Sequence, residues 1–456
     1  MSRTSLSVLQ VDTSDVGGGA ERVMTDLHDE YRRRGIDAWM AVGFKRSKNG
    51  RVLQIPNDAE RSGWERRLAF ASARVAAREG RLSLALARAL LFASDPMRYR
   101  GVLAGVEDFD FPATAGILGL PPGTPDVLHL HNLHGGYFDI RSLPALTRRV
   151  PAVLTMHDAW LLTGHCAHPF DCEHWRGGCG ECPSLGTYVP VRRDGSAATW
   201  QIKHDAVRAS RIAIATPSQW LMRMVTASDI VGDDAETRVI PNGVDTAVFS
   251  PGDQSEARAA LRLRHDCYVV LFTAQLMADN PFKDYATLLA ALPLIRARDG
   301  RSVQLVVLGF EASSDSLPKD GVVRVPYVKD REEVARYYRA ADVYVHSARI
   351  ENLPLAIIEA MACGTSVVAS RAGGIPELAV DGETGTLVPV GDANALAAAV
   401  NALLDDEAQR RRFAEAGLAR VRELFTLERQ ADAYIAWYEE LTDPAYRARA
   451  ANNPSA

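Results

Sequence analysis

The stretch 342–377 alternates apolar strands with short helices, and this alternation constrains the fold more than any other feature of the chain. Residues 342–346 and 366–370 have the pattern of short apolar strands, and each leads through a loop into a helical pattern. Pro354 favours a helix start, because its fixed φ and missing N–H suit the first turn, and Gly364 is typical of a residue just past a helix end. Strands that alternate with helices at this rhythm predict a parallel, doubly wound sheet.

Two glutamates mark this stretch, because Glu351 precedes the predicted helix and Glu359 lies inside it. The N–H groups of residues 352–355 are expected to point out of the helix end, together with the positive end of the helix dipole, which favours a phosphate there. The five residues from Pro354 to Glu359 advance the helix by about 7.5 Å, roughly the reach from a diphosphate to an attached sugar or ribose. The pattern therefore predicts a nucleotide-diphosphate site with hydroxylated groups on either side.

A second loop, residues 371–375, is likewise expected to lead into a helix N-terminus that favours a phosphate. Gly373 and Gly374 permit close backbone approach, and Pro376 predicts the start of another helix beside the first. The alternative interpretation is that both glutamates are merely solvated acids, and the flanking glycines disfavour it.

Glu351 and Glu359 have seven residues between them, and they are followed by Met361-Ala-Cys-Gly-Thr-Ser-Val-Val-Ala-Ser370 and Ala372-Gly-Gly-Ile-Pro-Glu377. This combination resembles the large retaining GT-B glycosyltransferase family, which includes sucrose-phosphate synthases and bacterial polysaccharide and lipid mannosyl- or glucosyltransferases. The resemblance implies an α/β fold of two Rossmann-like domains that face a cleft. It also implies that Glu351 acts in catalysis, and that donor binding in this region involves Asn352, Leu353, Glu359, Gly373 and Gly374.

The predicted domains follow the same resemblance. An acceptor-side domain covers residues 1–245, and a nucleotide-sugar-binding domain covers residues 246–425. The last helix, predicted over residues 426–441 with Thr426 as its N-cap, is expected to pack back on the first domain.

Length and composition agree with two globular domains. The 456 residues exceed what one ordinary hydrophobic core supports. A hydrophobic fraction of 47% and a charged fraction of 24% are globular averages, and a formal charge of −5 gives no global reason to expect nucleic acid as a partner. The chain begins without an apolar run of signal-peptide length and nowhere has about twenty apolar residues in succession, so we expect a cytoplasmic protein.

The N-terminus predicts another strand, glycine loop and helix, with an apolar strand over residues 6–11 and glycines at 17–19. Such an opening is typical of a doubly wound domain, in which ligands meet the carboxyl ends of the strands. The spacing is not the G-x-G-x-x-G of a dinucleotide site. In the resembled family the matching loop closes over the donor phosphates and the acceptor, which implies that Gly18 and Gly19 bind the donor.

Three histidines lie in or directly after two further predicted strands of the first domain. His129 and His131 belong to the strand 126–131, and His157 follows the strand 152–156. The first two share one strand face, but no acidic or third ligand is nearby, which argues against a metal pair. In the resembled family the match to His157 hydrogen-bonds a hydroxyl of the donor sugar, which implies a catalytic role; a structural histidine that caps the strand is the alternative.

The loop after the predicted strand 268–274 departs from the family pattern. Ala274 and Gln275 stand where the family has a Gly-Arg pair, and Lys283 stands where it has a Lys-Gly pair. The resemblance implies that Lys283 acts in catalysis by contacting the donor diphosphate and that Gln275 takes a donor-binding position. One ammonium and two helix N-termini can still offset the charge of a diphosphate at short range. An exposed loop lysine is the alternative.

Residues 61–100 are strongly basic, with nine arginines against three acids. Five of these arginines have the spacing of one helical face: Arg67, Arg74, Arg78, Arg81 and Arg88. A neighbouring apolar face comprises Leu68, Val75, Leu82, Leu86 and Leu90. Gly80 predicts a division into two helices. Either these helices pack on the first domain with a solvated arginine face, or they form a peripheral surface that meets anionic membrane lipid or an anionic lipid-linked acceptor.

Four of the six cysteines cluster within seventeen residues: Cys166, Cys172, Cys179 and Cys182. In a cytosolic chain such clustering is more often a metal site than a set of disulfides. The last two have C-x-x-C spacing, which suits a tetrahedral ion, whereas the first two have five residues between them, a looser spacing. We predict a structural zinc that orders this loop, with His165, His168 and His174 as alternative ligands. Disulfides and four unpaired thiols are the other interpretations.

The resemblance implies a retaining glycosyltransferase that moves a sugar from a nucleotide-diphosphate sugar to a saccharide or lipid-linked saccharide acceptor, and we expect it to act in cell-surface polysaccharide biosynthesis. Family chemistry implies a front-face substitution in which the leaving phosphate helps to take the acceptor's proton. No carboxylate is well placed as a nucleophile opposite Glu351, and no Asp-x-Asp motif adjoins the donor loops. We therefore expect catalysis without a metal or cofactor, in which Lys283 and backbone amides stabilise the leaving group and Glu351, His157 and Glu359 position the substrates.

Two other functions stay open. A GT-B nucleotide-sugar epimerase would need acid and base groups on both faces of the sugar ring, and the sequence shows no such set. A non-catalytic nucleotide-sugar-binding protein is the second, and the only feature that suggests it is the missing arginine whose place Gln275 takes.

Overall fold

The computed structural model describes residues 6–78, 80–232, 235–273, 282–309 and 321–445. The chain divides into two compact units. The first comprises Met1–Thr216, Met222–Arg238 and Ile435–Ala456, and the second comprises Pro217–Leu221 and Val239–Tyr434. Each unit is built on one sheet.

The first unit is organised around a seven-stranded sheet in the order β3-β2-β1-β4-β5-β6-β7. Its strands are β1 Ser7–Ser14, β2 Asp37–Phe44, β3 Val52–Gln54, β4 Val127–Leu130, β5 Ala152–Thr155, β6 Ile212–Thr216 and β7 Thr237–Val239. Its helices are α1 Gly19–Arg33, α2 Asn57–Glu60, α3 Gly63–Ala76, α4 Arg81–Ser94, α5 Pro96–Leu103, α6 Leu143–Thr147, α7 Ser196–Arg208 and α8 Gln219–Thr226, the last of which begins in the second unit. The pairs from β3 to β6 are parallel, and the strand order reverses between β1 and β4. Such a reversal is where ligands bind in doubly wound sheets.

The second unit contains a six-stranded parallel sheet in the order β10-β9-β8-β11-β12-β13. Its strands are β8 Tyr268–Thr273, β9 Val303–Leu308, β10 Val322–Val325, β11 Val343–His346, β12 Ser366–Ser370 and β13 Gly385–Val388. Its helices are α9 Gln254–Ala260, α10 Tyr285–Ala291, α11 Arg331–Ala340, α12 Leu355–Ala362, α13 Ile375–Leu378, α14 Ala393–Asp405, α15 Glu407–Leu424 and α16 Leu427–Thr442, which continues into the first unit. Here the order reverses between β8 and β11.

The core of the second unit explains why its strands are apolar throughout. Val345 on β11 lies opposite Phe272 on β8 and Val368 on β12, and all three are buried with Leu396 and Val400 of α14. Every residue of β11 and β12 is buried, which is the pattern of parallel strands covered by helices on both faces. The predicted α/β class with two doubly wound sheets is confirmed.

Three local sequence signals placed helix ends correctly. Gly364 has φ +76° just after α12, and the hydroxyl of Thr426 accepts a hydrogen bond from Arg429 N–H at 3.2 Å at the start of α16. Gly80, with φ +156°, separates α3 from α4 as expected. Pro354 is the N-cap of α12 rather than its first helical residue, so this prediction was wrong by one position.

The boundary between the two units lies at Val239, earlier than the predicted border after residue 245. The reason is local packing within the second unit. Gly243 N–H donates to Gln430 Oε1 at 2.9 Å, and Val244 pairs with Thr426 as in a parallel sheet. Sequence could not show this pairing, because the partners lie far apart in the chain.

Among the described residues, no helix combines the length and the apolar character needed to cross a bilayer.

Candidate functional site

In the second unit, Lys283 and Glu351 form an ion pair through Lys283 Nζ and Glu351 Oε1. Two segments hold them in place. Lys283 pairs with Ala348 as in an antiparallel ladder, and Arg349 N–H donates to the carbonyl of Phe282 at 2.8 Å. The loop before α10 is thereby aligned with the loop that leaves β11, so the two predicted catalytic residues meet although they are 68 positions apart.

This ion pair is partly exposed, since each side chain retains 19% of its accessible surface. The imidazole of His346 lies behind it, with Nε2 3.9 Å from Glu351 Oε1. Burial, and then the charge of Lys283, hold the pKa of His346 well below its usual value, so the ring is neutral at pH 7. The site therefore carries one positive and one negative charge that an incoming ligand can reach.

His346 was not assigned a role from the sequence, yet it connects Glu351 to the interior of the unit. Its Nδ1 is 2.9 Å from the hydroxyl of Tyr344, which lies 2.8 Å from Thr273 Oγ1. Burial raises the pKa of Tyr344, so its hydroxyl stays protonated. The position of His346 at the end of a central strand was the available signal, because such ends point to the ligand edge of the sheet.

Glu359 is 3% exposed on α12 and accepts a hydrogen bond from Tyr338 Oη at 3.0 Å. Burial, and then this carboxylate, raise the pKa of Tyr338 well above its usual value. The structure thus shows Glu359 in a buried pair with a tyrosine of α11. Binding of a ribose by Glu359 stays a prediction, and it requires that the ligand reach a nearly enclosed carboxylate.

Gly373 and Gly374 lie against the backbone of the loop that carries Glu351. A Cβ on Gly373, whose φ is +54°, would lie 1.9 Å from the carbonyl oxygen of Glu351, and a Cβ on Gly374 would lie 2.0 Å from that of Asn352. Gly374 N–H also donates to the Glu351 carbonyl at 3.0 Å. The close approach that these glycines allow is thus an approach to the backbone of residues 351–352. The helix that follows, α13, has four residues, which is too short for the second dipole-bearing helix end that the sequence suggested.

Asn352 and Leu353 are buried, at 5% and 4% exposed. Ser218 Oγ donates to Asn352 Oδ1, and the carbonyl of Leu353 accepts from Asn242 Nδ2 at 3.0 Å. The Asn352 side chain and the Leu353 carbonyl therefore hold the entrance to α12 in place. Donor binding by these two residues stays a prediction. The prediction for Gln275 concerns residues 274–281, which lie outside the described part of the chain.

In the first unit, His131 follows β4 directly and contacts both Gln10 of β1 and His157, which lies just after β5. Its Nδ1 is 3.0 Å from His157 Nε2, and its Nε2 is 3.2 Å from Gln10 Oε1. The His131 and His157 rings are stacked, with centroids 5.3 Å apart and planes 14° apart. The buried His131 therefore orients His157, and sequence reasoning had not assigned this role to His131.

Burial lowers the pKa of His157 to about 4 and that of His129 to about 3, and it holds the pKa of His131 well below its usual value. All three rings are neutral at pH 7. His129 is bonded on both ring nitrogens, to Tyr438 Oη at 2.6 Å and to Thr155 Oγ1 at 2.8 Å. It is a structural histidine, and His157 can offer a sugar hydroxyl a hydrogen bond rather than a charge.

A charged pair adjoins this neutral cluster. His134 Nε2 lies 2.9 Å from Asp158 Oδ2, and His131, His134, His157 and Asp158 help to line a cavity of about 10 Å³. Burial opposes protonation of His134, but the Asp158 carboxylate outweighs it and raises the pKa of the imidazole. Asp12, at the end of β1, is fully buried, and burial followed by the charge of Glu21 raises its pKa well above the usual value. Sequence reasoning gave neither His134 nor Asp12 a role.

The glycine loop leads directly into α1, with Gly18 as its N-cap and Gly19 as its first residue. A Cβ on Gly19 would meet nothing within 4 Å, whereas a Cβ on Gly17 would lie 2.8 Å from the side chain of Glu21. A side chain at 17 would therefore displace only the flexible end of Glu21, and the local structure requires glycine at neither position. Donor binding by Gly18 and Gly19 stays a prediction.

The four clustered cysteines surround one cavity of about 20 Å³ together with His165 and His174. All four are free thiols, and burial raises the pKa of Cys166 to about 11 and that of Cys179 to about 12. In the described part of the chain, no group of three or more His, Cys, Asp or Glu side chains is placed so that it could hold a metal ion. The structural zinc stays a prediction, and it requires these thiols to move closer together and lose their protons.

Models of two protein families match the chain. Glycosyltransferase Family 4 matches residues 114–248, and Glycosyl transferases group 1 matches residues 253–420. The second match contains Lys283, Glu351, Glu359 and the glycine pair.

Several relatives of the chain carry names of glycosyltransferases. D-inositol 3-phosphate glycosyltransferase 1 of Catenulispora acidiphila is 30% identical over 313 residues, which cover 65% of this chain and 68% of that protein. D-inositol 3-phosphate glycosyltransferase of Segniliparus rotundus is 35% identical over 219 residues, 45% of this chain and 47% of that protein. The putative colanic acid biosynthesis glycosyl transferase WcaC of Escherichia coli is 24% identical over 393 residues, 80% of this chain and 83% of that protein.

Solved structures show the same fold at low identity. Sucrose-phosphate synthase from Thermosynechococcus elongatus superposes with a TM-score of 0.64 at 20% identity, covering 96% of this chain and 99% of that one. Anabaena HepE, in complex with UDP and glucose, gives a TM-score of 0.63 at 18% identity, covering 95% and 99%. The chain thus belongs to the glycosyl transferases group 1 family and is a glycosyltransferase with the GT-B fold.

Proposed function

We propose that this glycosyltransferase moves a sugar, with retention at the anomeric carbon, from a nucleotide-diphosphate sugar to a saccharide or lipid-linked saccharide in cell-surface polysaccharide biosynthesis. The observation that carries the proposal is the Lys283–Glu351 ion pair at the end of β11. It holds an ammonium and a carboxylate before the N-terminus of α12. A diphosphate bound there would contact the ammonium, and a hydroxyl of the attached sugar would donate to the carboxylate. The HepE complex with UDP and glucose supports a donor of this class.

The ion pair suggests how the donor would be bound. Without ligand, Lys283 donates to Glu351, so both side chains are already oriented. A diphosphate would take over the ammonium, and Glu351 would then accept hydrogen bonds from sugar hydroxyls. Because each charged group exchanges one partner for another, neither is left unpaired at a partly exposed site.

The same residues account for the chemical step. As the bond between the anomeric carbon and the diphosphate oxygen breaks, negative charge builds on the leaving group. Lys283 and the N–H groups at the start of α12 stabilise that charge more in the transition state than in the ground state. The acceptor hydroxyl attacks from the face that the diphosphate leaves, and the leaving phosphate oxygen accepts its proton. In this scheme Lys283 supplies the positive charge that the leaving group needs, so the proposed reaction is independent of metal ions.

Two classes of acceptor have support among the relatives. The name of WcaC, which aligns with 80% of the chain, favours a growing polysaccharide. The D-inositol 3-phosphate glycosyltransferases, at higher identity over shorter stretches, favour a phosphorylated cyclitol. We favour the saccharide acceptor because that match extends furthest along the chain.

A two-stage experiment tests the function. Thermal-shift measurements with uridine, guanosine and adenosine diphosphate sugars identify the donor, and an assay for hydrolysis and transfer is then run on each ligand that stabilises the protein. We expect one nucleotide to be preferred, and NMR of the product should show the anomeric configuration of the donor. The variant Lys283→Met should lose transfer, whereas Lys329→Met, which alters an exposed lysine of the same unit, should retain it.

Each alternative predicts a different outcome. Binding without hydrolysis or transfer to any acceptor would identify a non-catalytic nucleotide-sugar-binding protein. Release of a nucleotide sugar with one inverted ring centre would identify an epimerase. An inverted anomeric configuration in the transfer product would contradict retention.

A further inference from the structure

Helices α3 and α4 form an antiparallel hairpin that packs mainly on itself, and we call residues 63–94 the arginine hairpin. Ser72 Oγ donates to the carbonyl of Ala87 at 2.9 Å, and Trp64 Nε1 donates to the carbonyl of Ala93 at 3.3 Å. Ser72 and Ala87 are the buried residues of its two helices within the described chain. The remaining side chains are intermediate or exposed, so the hairpin offers most of its surface to its surroundings.

That surface is unusually apolar. Leu82 is 88% exposed, Phe70 64%, Trp64 61% and Leu86 54%. Leu82 and Leu86 lie one turn apart on the same face of α4. Single exposed apolar residues are ordinary, but large aliphatic and aromatic side chains concentrated on one projecting element indicate an interaction surface.

The surface is also positively charged. Arg67, Arg74, Arg78, Arg81 and Arg88 are exposed, and none has an ion pair with another described residue. The guanidinium of Arg74 lies 5.4 Å from the ring centroid of Phe70, so cation and apolar ring share one patch. Arginines at the base of the same segment behave differently: Arg61 pairs with Asp110, and Arg98 pairs with Asp108. Among the described residues, carboxylate partners are thus found for the arginines that flank the hairpin and not for its five exposed ones.

We propose that the arginine hairpin docks the protein on an anionic lipid surface, with Leu82, Leu86 and Phe70 entering the headgroup boundary. Long arginine side chains can extend toward lipid phosphates while apolar neighbours are buried, which accommodates both features of this surface at once. An all-polar partner such as nucleic acid would leave the leucines exposed, and the overall charge of −5 shows no general basic character. Lipid binding stands on the hairpin alone, whereas its use in bringing the enzyme to a lipid-linked acceptor rests on the proposed function.

The test is sedimentation of the full-length protein with vesicles of phosphatidylcholine, alone or containing about 30% phosphatidylglycerol. We expect the wild-type protein to bind the anionic vesicles at least ten-fold more tightly than the neutral ones, with affinity that falls as salt is added. Two sets of substitutions, Arg74→Gln/Arg78→Gln/Arg81→Gln and Leu82→Gln/Leu86→Gln, should each reduce binding to anionic vesicles at least ten-fold.

Matched controls separate docking from general charge and hydrophobicity. Arg411→Gln/Arg412→Gln/Arg422→Gln removes three exposed arginines from α15, and Val390→Gln alters an exposed apolar residue of the second unit. Both should bind vesicles like the wild type. Circular dichroism shows whether each variant is folded, and hydrolysis of the donor in solution should be unchanged in the hairpin variants.

Three results would overturn the proposal. The first is a wild-type protein that does not bind anionic vesicles, and the second is equal binding by hairpin and control variants. The third is a dimer that the hairpin substitutions convert to a monomer without any vesicle binding, which would make the surface an interface between copies of this chain. A failure of donor hydrolysis in every protein, with vesicle binding intact, would count against the proposed function and leave lipid docking supported.

Discussion

Both units place polar side chains after the carboxyl ends of their central strands, a partly exposed ion pair in the second unit and a buried pair of histidines in the first. Lys283 and Glu351, each 19% exposed, retain opposite charges in contact. His131 and His157 are held neutral by burial, which lowers the pKa of His157 to about 4. The carboxyl edge of a parallel sheet thus carries an ion pair where water has access and neutral imidazoles where water is excluded. A solvated pair suits a charged leaving group, whereas an enclosed imidazole suits a hydroxyl.

The largest effect is expected from removing either charge of the ion pair. Glu351→Ala should lower turnover by about 10²–10³-fold, as the loss of a preorganised transition-state contact does, while free nucleotide binds almost normally. Lys283→Ala should lose both turnover and nucleotide affinity, because the ammonium is proposed to bind the diphosphate itself. Steady-state kinetics and calorimetric titration measure the two quantities, and a Glu351→Ala protein with wild-type turnover would contradict the assignment.

Glu359→Ala is expected to act on nucleotide affinity. A charge-assisted hydrogen bond to a ribose is worth about 1.5–3 kcal/mol, so free nucleotide should bind roughly ten- to hundred-fold more weakly. Tyr338→Phe removes the tyrosine partner and keeps the carboxylate, and it should bind nucleotide close to normally. If Glu351→Ala and Glu359→Ala lose free-nucleotide affinity equally, the separate roles of the two glutamates are wrong.

On the neutral side, His131→Phe keeps a stacked ring and removes the hydrogen bond to His157. Loss of one neutral hydrogen bond, worth about 1 kcal/mol, should lower turnover about five-fold and leave nucleotide affinity unchanged. Tyr438→Phe breaks the neighbouring bond to His129 and is the matched control. An equal loss of turnover in both variants would show that the cluster serves stability rather than the orientation of His157.

The charged pair beside that cluster predicts a pH effect on stability. Asp158 raises the pKa of His134 above its usual 6.5, so the stabilisation is present at lower pH and is lost as pH rises through the raised value. It is also lost in acid as Asp158, whose pKa is lowered, takes up a proton. His134→Gln should therefore lower the thermal midpoint by about 2–4 °C at pH 6 and less at pH 9. An equal shift at both pH values would rule out this electrostatic contribution.

Chelation should have the smallest effect on activity. Because Lys283 and backbone amides are proposed to offset the charge of the diphosphate, turnover should survive EDTA. Loss of turnover in EDTA that magnesium or manganese restores would reveal a metal at the donor site.

The zinc prediction for the four clustered cysteines is tested independently of activity. Metal analysis of protein purified without chelator should find about one zinc, which Cys179→Ser/Cys182→Ser removes, and less than about half an equivalent in the wild type would end the zinc prediction.

Secondary structure around the proposed donor site could be predicted from short stretches of the sequence. The strand–loop–helix order of residues 342–377, the left-handed Gly364 and the Thr426 cap follow from apolar periodicity and from backbone preferences that act within a few residues. Pro354 was misplaced by one position because a proline suits both the N-cap and the first helical turn. The turn at Gly80 was foreseen, but the five predicted arginines do not share one helical face: Arg67 and Arg74 lie on α3, Arg81 and Arg88 on α4, and Arg78 in the turn between them.

The site itself was recoverable only in part. Resemblance to the family pointed to Lys283 and Glu351, but not to their mutual ion pair, which depends on the register between the loops at 282–284 and 347–349. Gly373 and Gly374 were predicted to approach a phosphate, and that role stays a prediction; what sequence did not show is that they also lie against the backbone of residues 351–352. His346 and His131 were not assigned roles, because a histidine in an apolar strand does not reveal its partner.

The sequence by itself therefore determined the fold class, the strand–loop–helix order of residues 342–377 and the family, because these depend on periodicity, glycine and proline placement, and short motifs. Tertiary structure alone decided which polar groups meet and which keep their charge. Lys283 and Glu351 are separated by 68 positions, and His131 and Gln10 by 121. Burial and neighbouring charges set protonation, and both arise only when such distant segments are brought together by packing.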